Sequence, residues 1–151
     1  MQRATSLHHP GDWPADQTQA SVTLAWVDRH RRRLAMTDDS GGEFLLDLPA
    51  ASVLAEGDGL RLSDGGWIAV RAAVEAVADI TCRDAESMVR IAWHIGNRHA
   101  PVQILADGLL RIQDDHVLVA MIEGLGGRIL RHRAAFHAEG GAYATGGHEH
   151  A

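Results

Sequence analysis

From Val22 to Val74 the signals are short strands separated by glycine- and aspartate-rich turns. "VTLAWVD" alternates apolar and polar residues, "DDSGGE" is a turn, and "FLLDL" ends at Pro49. "EGDGL" and "SDGGW" are further turns around "LRLS", and "WIAVRA" alternates again. Alternation at period two turns one face of a strand to a core, and Gly/Asp clusters reverse the chain between strands. Residues 1–74 are therefore expected to form a small all-β domain. Its first part, residues 1–20, carries Pro10, Gly11 and Pro14 with little periodicity and is expected to be a loose arm. "RHRRR" (Arg29–Arg33) reads as a solvated turn between two strands.

Beyond Val74 the period changes. "AVEAVADITC" reads as a strand, and Asp84 can cap a helix running to about Ile95. The apolar stripe of that helix is Met88, Ile91, Ala92 and Ile95, and its polar stripe is Arg83, Ser87, Arg90 and His94. Gly96-Asn97 is a helix stop because both residues tolerate positive φ, and Pro101 forbids continuation. "VQILA", Asp107-Gly108 and "LLRIQ" predict a hairpin. Asp114 or Asp115 then caps a second helix with the stripe Val117, Leu118, Met121, Ile122 and Leu125, closed by Gly126-Gly127. "RILRHRAAF" is a last strand. The expected fold class is α+β: the β domain, then a βαββαβ unit over residues 75–138 in the ferredoxin-like arrangement. The Gly/Ala-rich remainder, residues 139–151, is expected to be a flexible tail bearing His148 and His150.

Composition narrows the function. No apolar run approaches the roughly 20 residues that a membrane helix needs. The start, "MQRATSLHHPGDWPADQ", lacks a signal-peptide core, so a cytoplasmic, membrane-free protein is expected. A net charge of -6 counts against nucleic-acid binding. Cys82 is the single cysteine, which excludes an internal disulfide, and it reads as a buried structural thiol. Walker A, G-x-S-x-G, H-E-x-x-H and C-x-x-C patterns are absent, and no catalytic residue stands out.

What rises above this baseline is histidine, ten of them. His94 and His99 flank the first helix stop. Five residues at about 100° each would put them roughly 140° apart, so a continuous helix could not make them converge. Each alone also reads as a plain surface histidine. His116 follows Asp114-Asp115 in the first turn of the second helix, where the dipole disfavours the imidazolium and favours a neutral ring able to bind metal; the plainer reading is that the aspartates cap the helix and His116 is an exposed residue. His148 and His150 flank Glu149, a mix that can take nickel, copper or zinc. His8-His9, His132 and His137 read as ordinary surface residues.

"WHIGNRHAPVQI" followed by "DDHVLVAMIEGLG" resembles the UreE family of urease accessory proteins, which are nickel metallochaperones. "RLAMTDDSGGEFLLDLP", the stretch from Leu54 to Val77 and "GAY" before a histidine-bearing tail fit the same family. The resemblance implies an N-terminal partner- or peptide-binding β domain and a ferredoxin-like metal-binding domain that dimerises. It implies that His99 from each of two subunits shares one Ni²⁺ across the two-fold axis, with Zn²⁺ or Cu²⁺ also able to bind. Asp114 with His116, the tail histidines His148 and His150, and His94 are the candidates to complete that site. Some members carry a histidine where this chain has Asp114, and some end in a long polyhistidine run, so fewer metals per dimer are expected here. The implied partners are the urease-maturation GTPase and the apo-urease accessory complex. Two other readings remain: a metal-dependent hydrolase using His99, His116 and an aspartate, and a protein-binding module in which the histidines are incidental.

Overall fold

The computed structural model describes residues 1–140, so His148, His150 and most of the expected tail lie outside the described residues. The chain divides between Ala73 and Val74 into two units.

The first unit holds β1 (Gln2–His8), β2 (Thr18–Leu24), β3 (His30–Thr37), β4 (Glu43–Val53), β5 (Gly59–Leu62) and β6 (Trp67–Ala72). They form one sheet in the order β2-β6-β5-β1-β4-β3. Alternate residues such as Phe44, Leu46 and Leu48 of β4, with Ile68 and Val70 of β6, bury the core face.

The expected loose arm is corrected by β1, which lies inside the sheet between β4 and β5. Ala4 is fully buried and Leu7 packs on the same core. The register shift between Ala4 and Ser6 turns residues three apart to one side, which erases the period-two signal. Pro49 does not end its strand. Between the pairs Arg31–Ser52 and Arg33–Asp47 the register slips, so Pro49 sits where no ladder donor is required. "RHRRR" is mostly strand rather than turn, since β3 begins at His30.

The second unit holds β7 (Val74–Thr81), α1 (Ala85–Asn97), β8 (Gln103–Ile104), β9 (Leu110–Gln113), α2 (His116–Gly124) and β10 (Arg128–Ala135). Its sheet runs β10-β7-β9-β8 with every neighbouring pair antiparallel. Ile91 and Ile95 of α1 and Val119 and Ile122 of α2 pack with Ala78, Ile80, Leu110 and Ile112 of the strands.

Two stripe assignments shift. Ser87, expected on the polar face, is buried, because it precedes Ile91 and Ile95 at four-residue spacing and so shares their face. In α2, Val117 is 49% exposed and Val119 takes the buried position instead. Asp115, the capping residue, sets this phase by accepting the N–H groups of Val117 and Leu118.

Candidate metal centre

Helix α1 delivers His99. Asp84 starts the helix by accepting the Ser87 N–H at 2.8 Å. The helix then runs through Gly96 and Asn97 and ends in a Schellman closure. The Ala100 N–H donates to the Ile95 carbonyl at 3.3 Å, and the His99 N–H to the Gly96 carbonyl at 2.9 Å. Ala100 packs on the same core as Ile95, completing the apolar contact of that motif.

The expected stop at Gly96-Asn97 is therefore corrected. The left-handed residue is His99 itself, at φ 58°. Pro101 disfavours helix at Ala100, so the reversal falls immediately before it. Glycine is the usual occupant of this position, because a Cβ in left-handed backbone costs about 1–2 kcal/mol. His99 is exposed, and its ring has no hydrogen-bond partner among the described residues.

The other sequence candidates do not converge on it within the chain. His94 is half-buried, with its ring edge-on to Trp93 at 5.0 Å. His116 opens α2 and is exposed. Asp114 is engaged by Arg131 Nε at 3.2 Å. The Asp115 carboxyl is held below its usual range, first by the Leu118 N–H; burial opposes this, and the Val117 N–H and the charges of His116 and Arg98 add to it. Among the described residues no three His, Cys, Asp or Glu side chains come together as an ion-binding group. The single-chain hydrolase reading lacks the ligand cluster it requires there.

Comparison with known sequences gives the family. Residues 2–73 match "UreE urease accessory protein, N-terminal domain", and residues 75–151 match "UreE urease accessory protein, C-terminal domain". The chain belongs to the UreE urease accessory protein family. It is 50% identical to a urease accessory protein UreE of Bradyrhizobium sp. (strain ORS 278) over 99% of this chain and 70% of that protein. It is also 50% identical to one from Rhodopseudomonas palustris (strain HaA2), over 95% of this chain and 66% of the relative. A Chelativorans sp. (strain BNC1) relative is 46% identical over 99% of this chain and 91% of its own length. All three relatives are accessory proteins by name.

Three of the remaining histidines of this UreE-family chain have structural partners that the sequence did not disclose. His132, expected as plain surface, bonds Asp79 at 2.8 Å. The signal was a charged residue in the same phase of adjacent strands, Asp79 inside "VADIT" and Arg111 inside "LRIQ". His9 meets Asp58 at 3.3 Å, and His8 meets Ser6 Oγ at 2.9 Å. The Asp58 side chain is 1% exposed, and burial pushes its carboxyl up against the Ala55 N–H and His9, which lower it. Cys82 is half-buried rather than buried; desolvation, then the charge of Asp84, raises its thiol away from the metal-binding thiolate. No helix among the described residues is long and apolar enough to cross a membrane.

Proposed function

We propose that this chain is a nickel-binding metallochaperone of urease maturation that carries Ni²⁺ as cargo at a symmetric dimer interface. The observation that carries the reading is His99: an exposed imidazole, without a hydrogen-bond partner among the described residues, held in a left-handed conformation that glycine would adopt with less strain. Strain retained at a surface residue points to a role for its side chain. One imidazole per chain cannot chelate, but a two-fold axis presents each residue twice. A site completed by the partner stays open to exchange, whereas a closed four-ligand site resists it.

The outer face of α1 supports self-association. Val89 and Trp93 are 69% and 61% exposed. With Ala85, Glu86, Arg90 and His94 they line a groove of about 590 Å³. An exposed Trp beside an aliphatic residue is the composition of an interface centre. The βαββαβ order with the sheet order β10-β7-β9-β8 is read as the ferredoxin-like arrangement, and the first unit as the partner-binding domain. His116, Asp114, His94, His148 and His150 are assigned to outer or accessory positions. Two imidazoles would by intrinsic affinity favour copper over nickel and accept zinc, so nickel rests on the family. Delivery to the urease-maturation GTPase and apo-urease in the cytoplasm completes the proposal.

Calorimetric titration with Ni²⁺ of the wild type, His99→Ala and a truncation ending at Tyr143 tests it. About one tight Ni²⁺ per dimer is expected, lost in His99→Ala and at most weakened by truncation. Tight binding that survives His99→Ala overturns the reading.

A further inference from the structure

We propose that residues 9–13 form a proton-gated strap over the turn that leads into β5, closed by the contact of His9 with Asp58 and released when that pair loses its last proton. The strap meets the turn through three side chains. Pro10 packs against Gly57, where an added Cβ would lie 3.1 Å from its Cγ. His9 Nδ1 lies 3.3 Å from Asp58 Oδ1. Trp13 sits so close to Gly59 that a Cβ there would clash with its Cδ2 and Cε2, and its Nε1–H donates to the Gly57 carbonyl at 3.1 Å. Two glycines thus make room for the strap, with Asp58 between them. Among the described residues no backbone hydrogen bond joins residues 9–13 to residues 55–59. Asp58 is fixed by its own backbone, whose carbonyl accepts the Val70 N–H at 2.8 Å and whose N–H bonds the Ala55 carbonyl at 3.1 Å. The strap is the part that can yield.

Burial makes the contact depend on a proton. The Asp58 side chain is 1% exposed and its Oδ2 accepts the Ala55 N–H at 2.9 Å, while the His9 side chain is 45% exposed and exchanges protons with water. A carboxyl out of water needs a counter-charge or a proton. Imidazolium with carboxylate, and neutral imidazole with carboxylic acid, each hold one proton and bury no net charge. Loss of that proton leaves an anion facing a neutral ring, and lifting the strap lets water reach it. The sign is the same for both groups. A carboxyl raised by burial weakens the closed state as pH climbs from its unfolded value through its folded one, and loss of the imidazolium charge removes what compensation remains. The strap is closed at low pH and open at high pH. Imidazole ordinarily changes charge between about pH 5 and 8, which sets the range to search.

The neighbouring charged groups do not stand in for His9. Glu56, beside the turn, takes Arg71 Nη1 at 3.0 Å and the Ala72 N–H at 2.9 Å. His8, at the end of β1, meets Ser6 Oγ at 2.9 Å and lies edge-on to Trp67 at 5.0 Å. Arg61 of β5 lies over the Trp67 ring at 4.9 Å. Asp12, within the strap, has the same charge as Asp58 and offers it no compensation. His9 is the one charge that lowers the Asp58 carboxyl. Release would carry Trp13 away from Gly59 and from Trp67, whose ring lies 5.3 Å from it. The proton on His9 and Asp58 thereby sets how much aromatic surface this unit shows. The proposal goes beyond the metal-carrying role and does not depend on it.

The test uses the full chain labelled with 5-fluorotryptophan, with a chelator present so that metal plays no part. Fluorine NMR follows Trp13, assigned through Trp13→Phe, from pH 5 to pH 9. Expected is a Trp13 signal in a buried position at low pH that moves towards that of free fluorotryptophan as pH rises, while Trp26 stays in place. Asp58→Asn removes the charge and keeps both hydrogen bonds, with Oδ1 accepting the Ala55 N–H and the amide donating to His9. Its Trp13 signal should remain in the closed position throughout. His9→Gln, at a half-exposed site, keeps a donor without a titrating charge and should lower the midpoint by about one pH unit or more. A wild-type Trp13 signal that ignores pH overturns the proposal, as does a midpoint left unchanged by His9→Gln or by a folded Asp58→Asn. Movement of Trp26 in step with Trp13 would mean that the whole unit unfolds and overturns it too.

Discussion

Arg111 grips Asp79 through two parallel hydrogen bonds, Nε to Oδ1 at 2.7 Å and Nη2 to Oδ2 at 3.0 Å. His132 adds a bond at 2.8 Å, and Arg111 Nη1 also donates to the Ala135 carbonyl at 3.2 Å. The cluster therefore ties β7, β9 and β10 together on the sheet face away from the helices. Asp79 and Arg111 are only 14% and 15% exposed, so the pair is shielded from solvent screening.

Arg111→Met should destabilise the protein by about 3 kcal/mol, because it leaves a half-desolvated carboxylate with His132 alone. Burial raises the Asp79 carboxyl, but the bonds from Arg111 and His132 and the Arg111 charge outweigh it, and the net shift is below 3.8. A depressed carboxyl adds stability that is full above the unfolded value and lost as pH falls through the folded one. Urea midpoints between pH 7 and 2 should fall less steeply below about pH 4 in Asp79→Asn than in wild type. Parallel curves would refute this.

On the proposed nickel site, His99→Gly should raise stability while removing the metal. Relief of the left-handed Cβ is worth about 1 kcal/mol, which for a domain of this size is several degrees in Tm. His99→Ala should lose Ni²⁺ equally without that gain, since alanine keeps the Cβ. Thermal melts and nickel titrations on the two variants separate strain from ligation. A His99→Gly protein that melts lower than wild type would show that the His99 side chain stabilises the loop.

On the proposed dimer, Trp93→Glu should shift the protein towards monomer, read by sedimentation equilibrium. Loss of a central aromatic anchor costs about 2 kcal/mol or more in comparable interfaces. On the two-fold reading of His99, the same variant should lose tight Ni²⁺ binding although no ligand has changed. Retained dimerisation would place the interface elsewhere.

Gly59→Ala should displace the Trp13 ring. A Cβ at Gly59 would fall inside that ring, which also packs on Trp67 at 5.3 Å and donates Nε1–H to the Gly57 carbonyl at 3.1 Å. Overpacking of this kind costs about 1–3 kcal/mol. The variant should unfold at lower urea, and its tryptophan emission should move to the red as Trp13 enters water. An unchanged spectrum would show that the loop yields without expelling the ring.

Much of this architecture was legible before folding. Asp84, Asp107-Gly108 and Asp115 mark a cap, a hairpin turn and a second cap through rules that act over three or four residues, and the structure has all of them there. β1 was not legible, because its bulge breaks the periodicity on which strand reading depends. Neither was the phase of α2, where a one-residue change in the core-facing position exchanges Val117 for Val119.

By its own residues the chain determined the change from strand-and-turn to helix-and-strand at Val74, the starts of its helices and the histidine-rich chemistry available to it. Local propensity, capping and turn formation need only neighbours. Tertiary structure decided which residue bears the left-handed turn before Pro101 and which histidines are consumed by Asp79 and Asp58. The histidine pairings depend on partners far along the chain, 53 residues for Asp79 with His132 and 49 for His9 with Asp58. His99 became distinctive only when packing of Ala100 beside Ile95 placed a histidine where glycine would be easier.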